Sequence, residues 1–325
     1  MLAAFDPHAG HGVLTLTRRF RQPVDKVWAA IATPARIADW MGAEWLSDPA
    51  AALHAGARFD FRFHNSDLPS EGRVLRFEPP RLIEFTWFEN LPSSGRVEWA
   101  LEPDGEGCLL TLTNRFGMAD DAPRTAAGWA AIIDQLAAAF GEAGEALGDW
   151  KSRRDAYAAA FGPEASRDAR LGVQDGVKTL RFERIVAAPP AAVWSALTTP
   201  EGLKRWLLCE ATVDGAPGGR FDLMLEGGSC VPGVVRRWEP GRLVEFTWPE
   251  KAANGDSLVT ITVEPFGDRS RVTLIHRLDK GGEVNDFAGG WHIHLDLLDA
   301  AAAGAQGAFD LDRFRAQRMI YAMTL

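Results

Sequence analysis

Two histidines, His276 and His294, have the widest chemical range of any side chains that the surrounding pattern directs inward. His276 sits near the end of an alternating run, RVTLIHRL, in which Val272, Leu274 and His276 share one face of a strand. His294 belongs to a helical stripe with Trp291, Leu295, Leu298 and Ala302. If strand and helix face each other, two imidazoles look into one cavity. The matching positions in the first half are Asn114, after Leu110 and Leu112, and Ile132, in a stripe with Trp129, Ile133, Leu136 and Phe140.

Three readings of this asymmetry stay open. Each histidine is satisfied locally by a hydrogen bond, as buried polar groups normally are. Alternatively the pair recognises a polar feature of a ligand in a mostly apolar pocket. In the third reading it binds a metal or works as acid and base, which would need a third ligand or an orienting partner that the sequence does not supply. His292 is two residues from His294 on the helix and points elsewhere, so the two do not form a chelate. No metal or cofactor is expected, and loops of the GxSxG, GxxxxGK[ST] and GxGxxG types and HExxH are absent.

The elements that position these groups occur twice. RFEPPRLIEFTW (76–87) returns as RWEPGRLVEFTW (237–248), with nine of twelve residues identical. Each copy reads as a hairpin with Ile83, Phe85 and Trp87, or Val244, Phe246 and Trp248, on one face. Before it, Phe59, Phe61 and Phe63 share a strand face, as do Phe221, Leu223 and Leu225; after it, Val97, Trp99 and Leu101 point inward. Val27-Trp28, Thr33-Pro34 and Trp40 recur as Val193-Trp194, Thr199-Pro200 and Trp206, implying two short helices per copy. Long helices open at Gly128-Trp129 and Gly290-Trp291, and a further helical stretch ends each copy, carrying Tyr157 and Tyr321. About six strands per copy are expected, as a curved antiparallel meander. The organisation expected is a flexible lead over 1–12, a first domain over 13–161, a linker over 162–176 and a second domain over 177–325.

Composition bounds the partners. A chain of 325 residues, 46% hydrophobic and 24% charged, suits two globular domains. A net charge of −9 argues against nucleic acid and against an anionic membrane surface. Cys108, Cys209 and Cys230 have no CxxC spacing, which fits reduced, cytoplasmic protein, and neither a signal peptide nor an apolar membrane span is read. Twelve tryptophans against two tyrosines is unusual. Each buried indole hides ~150–250 Å², worth roughly 4–6 kcal/mol, so these rings mark cores or pocket walls.

Strand, two short helices, curved sheet and a long helix gripped by the sheet resemble the helix-grip arrangement of the START/Bet v 1-like, or SRPBCC, superfamily, an α+β fold. The Pro23 to Trp40 and Pro189 to Trp206 segments, the EPxRLxEFTW hairpin and the Gly-Trp helix starts are similar to the family named after the C-terminal domain of the activator of Hsp90 ATPase, here in tandem. The resemblance implies a small-molecule binding shell more often than a cyclase or hydrolase. Chaperone activity belongs to relatives with a separate N-terminal domain, for which no counterpart is read here. The function expected is therefore binding of a small apolar or aromatic molecule between sheet and helix. Open alternatives are a chaperone- or protein-interaction module with filled cavities and an enzyme using the second cavity. The expected ligand-binding residues are Phe61, Trp87, Trp99, Asn114, Trp129 and Ile132 in the first unit, and Leu223, Trp248, His276, Trp291 and His294 in the second. The second copy, with its two histidines, is expected to be the working one.

Overall fold

The computed structural model describes residues 2–8, 11–64, 69–89, 95–117, 121–144, 148–225, 228, 230–248, 257–278 and 283–325. The chain divides into two units, Met1–Ser166 and Arg167–Leu325.

In the first unit, β1 (Leu2–His8) and β2 (His11–Phe20) lead to α1 (Val24–Ala32) and α2 (Pro34–Trp40). Thr33-Pro34 separates those two helices, with Pro34 at the start of the second, where its missing N–H costs nothing. Six strands follow: β3 (Ala43–Trp45), β4 (Arg58–Phe63), β5 (Ser70–Glu78), β6 (Leu82–Trp87), β7 (Gly95–Asp104) and β8 (Gly107–Gly117). All eight form one antiparallel sheet in the order β1-β2-β8-β7-β6-β5-β4-β3. Helix α3 (Ala122–Ala139) starts at Asp121, whose carboxylate accepts from the Arg124 backbone N–H at 2.7 Å. It buries Ala126, Ala127, Trp129, Ala130, Ile132, Ile133 and Leu136, the stripe expected from its spacing. Helix α4 (Trp150–Phe161) completes the unit.

The second unit runs β9 (Arg170–Gln174), β10 (Val177–Val186), α5 (Pro190–Thr198), α6 (Pro200–Trp206), β11 (Glu210–Val213), β12 (Phe221–Met224), β13 (Cys230–Val231), β14 (Val235–Glu239), β15 (Leu243–Trp248), β16 (Ser257–Phe266) and β17 (Arg269–Arg277). Here the strands divide into a six-stranded sheet, β14-β15-β16-β17-β10-β9, and a three-stranded one, β11-β12-β13. The repeat extends to an irregularity: the register of the hairpin slips between Val74 and Arg76 and again between Val235 and Arg237. Two helix-grip α+β units in tandem are what the repeat implied, with more strands than about six in each.

Three expectations need correcting. Residues 2–8 of the supposed flexible lead form β1, paired with β2 from Leu2↔Thr17 to His8↔His11. The supposed linker contains β9, which pairs with β10 around Asp175-Gly176. Both turn residues lie in the left-handed region, at φ 52° and 76°, the Asp-Gly signature of a two-residue hairpin. The long helix of the second unit is not continuous: α7 (Val284–Asp296) stops, and α8 (Leu298–Ala302) carries the stripe on before α9 (Leu311–Thr324).

A buried aspartate at equivalent helix positions clamps helix to sheet in both units. In the first, Asp134 on α3 meets Arg18 on β2 at 2.5 Å and Arg153 on α4 at 2.6 Å. In the second, Asp296 on α7 meets Arg184 on β10 at 3.3 Å, Arg167 at 2.8 Å and Arg313 on α9. Burial alone would raise the Asp296 carboxyl, but the Arg184, Arg167 and Arg313 guanidiniums around it hold it below the usual carboxylate range. His292 is itself neutral: burial and the guanidiniums around it outweigh the attraction of Asp296. Its Nδ1 meets the Tyr321 hydroxyl at 2.8 Å, and that hydroxyl also accepts from the Ala169 N–H at 2.8 Å. The terminal helix, the residue leading into the first strand and the long helix are thereby tied at one point.

Asp296→Asn leaves the buried Arg184 guanidinium without its carboxylate, and its expected cost is about 3–5 kcal/mol. Urea unfolding of the full chain checks this; a loss below ~1 kcal/mol would mean that the cluster relaxes into solvent.

Candidate functional site

The interior of the first unit contains a cavity of about 50 Å³ between the short helices, the sheet and the long helix. On the usual ~10–15 Å³ for each enclosed water, such a space takes about three to five water-sized groups. A benzene-sized guest needs roughly three times that space, so the wall must open to take one ring. Ile31 comes from α1, Ile37 and Trp40 from α2, Met41 from its end, Trp45 from β3 and Leu53 from the connection that follows. The sheet gives Phe59 and Phe61 on β4, Ile83, Phe85 and Trp87 on β6 and Trp99 on β7, and α3 gives Trp129. Alternation explains the sheet wall, because residues two apart on a strand share a face.

The rings meet at mixed angles. Phe61 stacks on Trp87 at 4.9 Å, Trp87 meets Trp129 at 4.7 Å, and Phe59 meets Phe85 at 5.7 Å in a T-shape. Trp40, Trp45, Phe85 and Trp87 are only half-buried, so the wall is reached from solvent. Every wall residue is Ile, Leu, Met, Phe or Trp, a composition that can bind apolar surface and offers no side-chain carboxylate, imidazole or hydroxyl.

Four of the expected binding residues, Phe61, Trp87, Trp99 and Trp129, therefore meet at one cavity. Asn114 and Ile132 do not line it. Asn114 lies behind the wall, accepting from Trp129 Nε1 at 2.9 Å and donating to the Arg96 carbonyl at 3.2 Å. Ile132 is buried in the core. Sequence reasoning missed Trp45 and Leu53, which sit in a three-residue strand and an irregular segment without periodicity to orient them. It placed Ile83, Phe85 and Phe59 inward without assigning them a ligand.

In the second unit His276 and His294 do not act as a pair. His276 Nδ1 accepts the Trp291 indole N–H at 3.0 Å, so the ring carries its proton on Nε2, which lies 2.6 Å from Ser257 Oγ. Burial pushes its pKa down to about 3. The resemblance to a Ser-His couple ends there, because the ring lone pair needed to deprotonate Ser257 is on the other nitrogen. His294 Nδ1 instead meets the Trp206 carbonyl oxygen at 2.9 Å, and its ring rests against Phe309 at 5.2 Å. Burial lowers its pKa as well.

The contrast between Asn114 and His276 thus conceals an equivalence: each is the acceptor for the indole of the long helix. Leu223 is fully buried, and Trp248 and Trp291 pack on each other at 5.2 Å with His276 beside them. The cavity described lies in the first unit, not in the copy with two histidines. Among the described residues no three His, Cys, Asp or Glu side chains group as metal ligands. Burial pushes the Cys108 and Cys209 thiols up to about 11 and about 12, away from nucleophilic thiolates.

The model of the family described as activator of Hsp90 ATPase homolog 1-like protein matches residues 21–141 and again 187–303. Among solved structures, CalU16 from Micromonospora echinospora is 26% identical, with 49% of this chain and 96% of that one covered at a TM-score of 0.38. A protein from Bordetella parapertussis is 27% identical over 48% and 89%, at a TM-score of 0.40. DynU16, from the dynemicin biosynthetic locus, is 18% identical over 89% and 98%, at 0.36. No curated protein matches significantly.

The two acceptors differ in how they titrate. Folded His276 stays neutral down to about pH 3, whereas the unfolded chain protonates it near 6.5. Between those values the unfolded state binds the extra proton, so stability falls as pH falls, by at most about 1.4 kcal/mol per pH unit from this residue. His276→Asn keeps an acceptor for Trp291 but leaves Ser257 Oγ unpartnered. It is expected to lose about 1–3 kcal/mol at pH 7 and to show a shallower acid decline than wild type in urea titrations at pH 7 and 4.5. Equal declines would show that His276 titrates normally in the folded protein.

Proposed function

This chain belongs to the activator of Hsp90 ATPase homolog 1-like family, and from that premise we propose that its first unit binds a small apolar or aromatic molecule. The observation that carries this reading is the ring-lined cavity, whose wall combines five tryptophans and three phenylalanines with aliphatic side chains. A space of about 50 Å³ admits a ring only as its wall opens, and the half-buried rings of that wall give a ligand a way in without global unfolding. Aromatic walls favour a planar guest, since offset and edge-to-face contacts each add roughly 0.5–1.5 kcal/mol beyond area burial.

The second unit would serve the fold. Phe221 and Phe246 stack at 3.9 Å where the first unit has the open Phe59–Phe85 arrangement, and both imidazoles are engaged within the protein. A cytoplasmic setting agrees with three free cysteines, two of them buried. No helix among the described residues is long and apolar enough to cross a membrane.

Ligand-observed NMR on the full chain with cumene, a single-ring hydrocarbon, tests the cavity. Binding is expected in wild type and at least ~10-fold weaker binding in Leu53→Phe, whose added ring occupies the space; one methylene-scale change in an apolar pocket is already worth ~10-fold or more. Failure of wild type to bind any single-ring probe, with its folding intact, would favour the protein-interaction module with filled cavities.

A further inference from the structure

We infer that the molecule bound by the first unit carries a hydrogen-bond acceptor, a carbonyl or ether oxygen or a ring nitrogen, taken by the indole N–H of Trp99 with that of Trp45 as a second donor. This rests on the binding reading above and specifies its ligand. The fold supplies acceptors for buried indoles wherever their partners can be traced. Trp40 donates to the Ala30 carbonyl at 3.0 Å and its repeat mate Trp206 to the Ala196 carbonyl at 3.1 Å. Trp129 and Trp291 donate to Asn114 and His276. Trp45 Nε1 and Trp99 Nε1 are buried, with no surface open to the cavity as it stands, and have no hydrogen-bond partner among the described residues; both rings line the cavity, so a guest that moves the wall aside brings an acceptor within reach of either donor.

These two positions are also where the copies part. Trp45 stands opposite Phe61 in the strand register, and Ala211 stands opposite the equivalent Leu223. Trp99 stands opposite Ile83, and Ile261 opposite the equivalent Val244. The second unit fills both places without a polar atom. If the first needed only bulk, a phenylalanine would provide it without burying an orphaned donor. A water is a poor partner, because buried waters hold two to four polar groups and this wall presents no side-chain acceptor. An acceptor on the ligand completes the set.

Acetophenone and cumene are near-isosteric single-ring probes, one with a carbonyl oxygen and one without. Wild type is expected to prefer acetophenone by about five- to tenfold, the range of one neutral hydrogen bond. Trp99→Phe, which deletes the donor, should erase most of that preference, read as the ratio of the two probes' affinities within the variant so that any change in cavity shape acts on both. On the ¹⁵N-labelled full chain, where Trp99→Phe and Trp45→Phe identify the signals, the Trp99 indole N–H should move downfield with acetophenone and not with cumene. If cumene binds as well as acetophenone and neither indole signal responds selectively, the acceptor is refuted while the cavity stands. If neither probe binds, the binding reading itself fails and takes this inference with it.

Discussion

An indole carried by the long helix must find an acceptor on the sheet it crosses, and this requirement fixes how each unit closes. Trp129 reaches Asn114 and Trp291 reaches His276, both on the last strand of their unit and both with their apolar neighbours two residues apart facing the same way. A buried indole N–H without a partner costs about 1–3 kcal/mol, so rotating the helix by one residue would lose this bond as well as the stripe packing. The bond also sets the ring against Trp87 in one unit and Trp248 in the other. Helix rotation, sheet face and the position of the innermost ring follow from one donor.

The aspartate clamp works at the next turn of the same helix. Asp134 and Asp296 pull an arginine from the second strand of each sheet and another from the terminal helix. Charge of this kind stabilises little when compared with well-packed apolar groups, yet it penalises every arrangement that leaves one partner buried alone. The second unit gathers more of it, with Arg167 added and His292 held neutral beside Tyr321. Polar specification is therefore concentrated in the copy without the described cavity, and aromatic walls in the other.

Most of the fold was legible because the chain states it twice. Period-two faces at Phe59 and Phe61 or Ile83 and Phe85, and the helical stripe from Trp129 to Leu136, survive any single ambiguous position. The outer strands were harder. β1 includes Pro7 and little alternation, and β9 was obscured by a polar, Gly-punctuated neighbourhood, although Asp175-Gly176 carried a hairpin signal. At the site, parity could say that Phe61, Trp87, Trp99 and Trp129 point inward. It could not say that His276 and Asn114 do the same job, because an imidazole nitrogen and a carboxamide oxygen are different letters with one shared function as acceptors. Nor could it orient Trp45, which lies in a strand too short to show a period.

The cavity does not arise from missing volume. Where the first unit has Trp45 and Trp99, the second has the smaller Ala211 and Ile261, yet it is there that Phe221 settles onto Phe246 at 3.9 Å, 13° from parallel. Their counterparts Phe59 and Phe85 stand 5.7 Å apart at 77°. Large planar side chains have few rotamers and cannot fold into each other's gaps as branched aliphatics do, so packing more rings around a concave sheet can leave more space, not less. Phe59 is held on the other side by Trp45, stacked at 5.4 Å, which occupies the room into which it would otherwise turn. Trp45, one of the two tryptophans with an unpaired donor, therefore also belongs to the framework that keeps the space open. The Trp45 indole bears on both the shape of the cavity and the chemistry of its wall, and smaller residues at the positions equivalent to Trp45 and Trp99 accompany a closed aromatic stack.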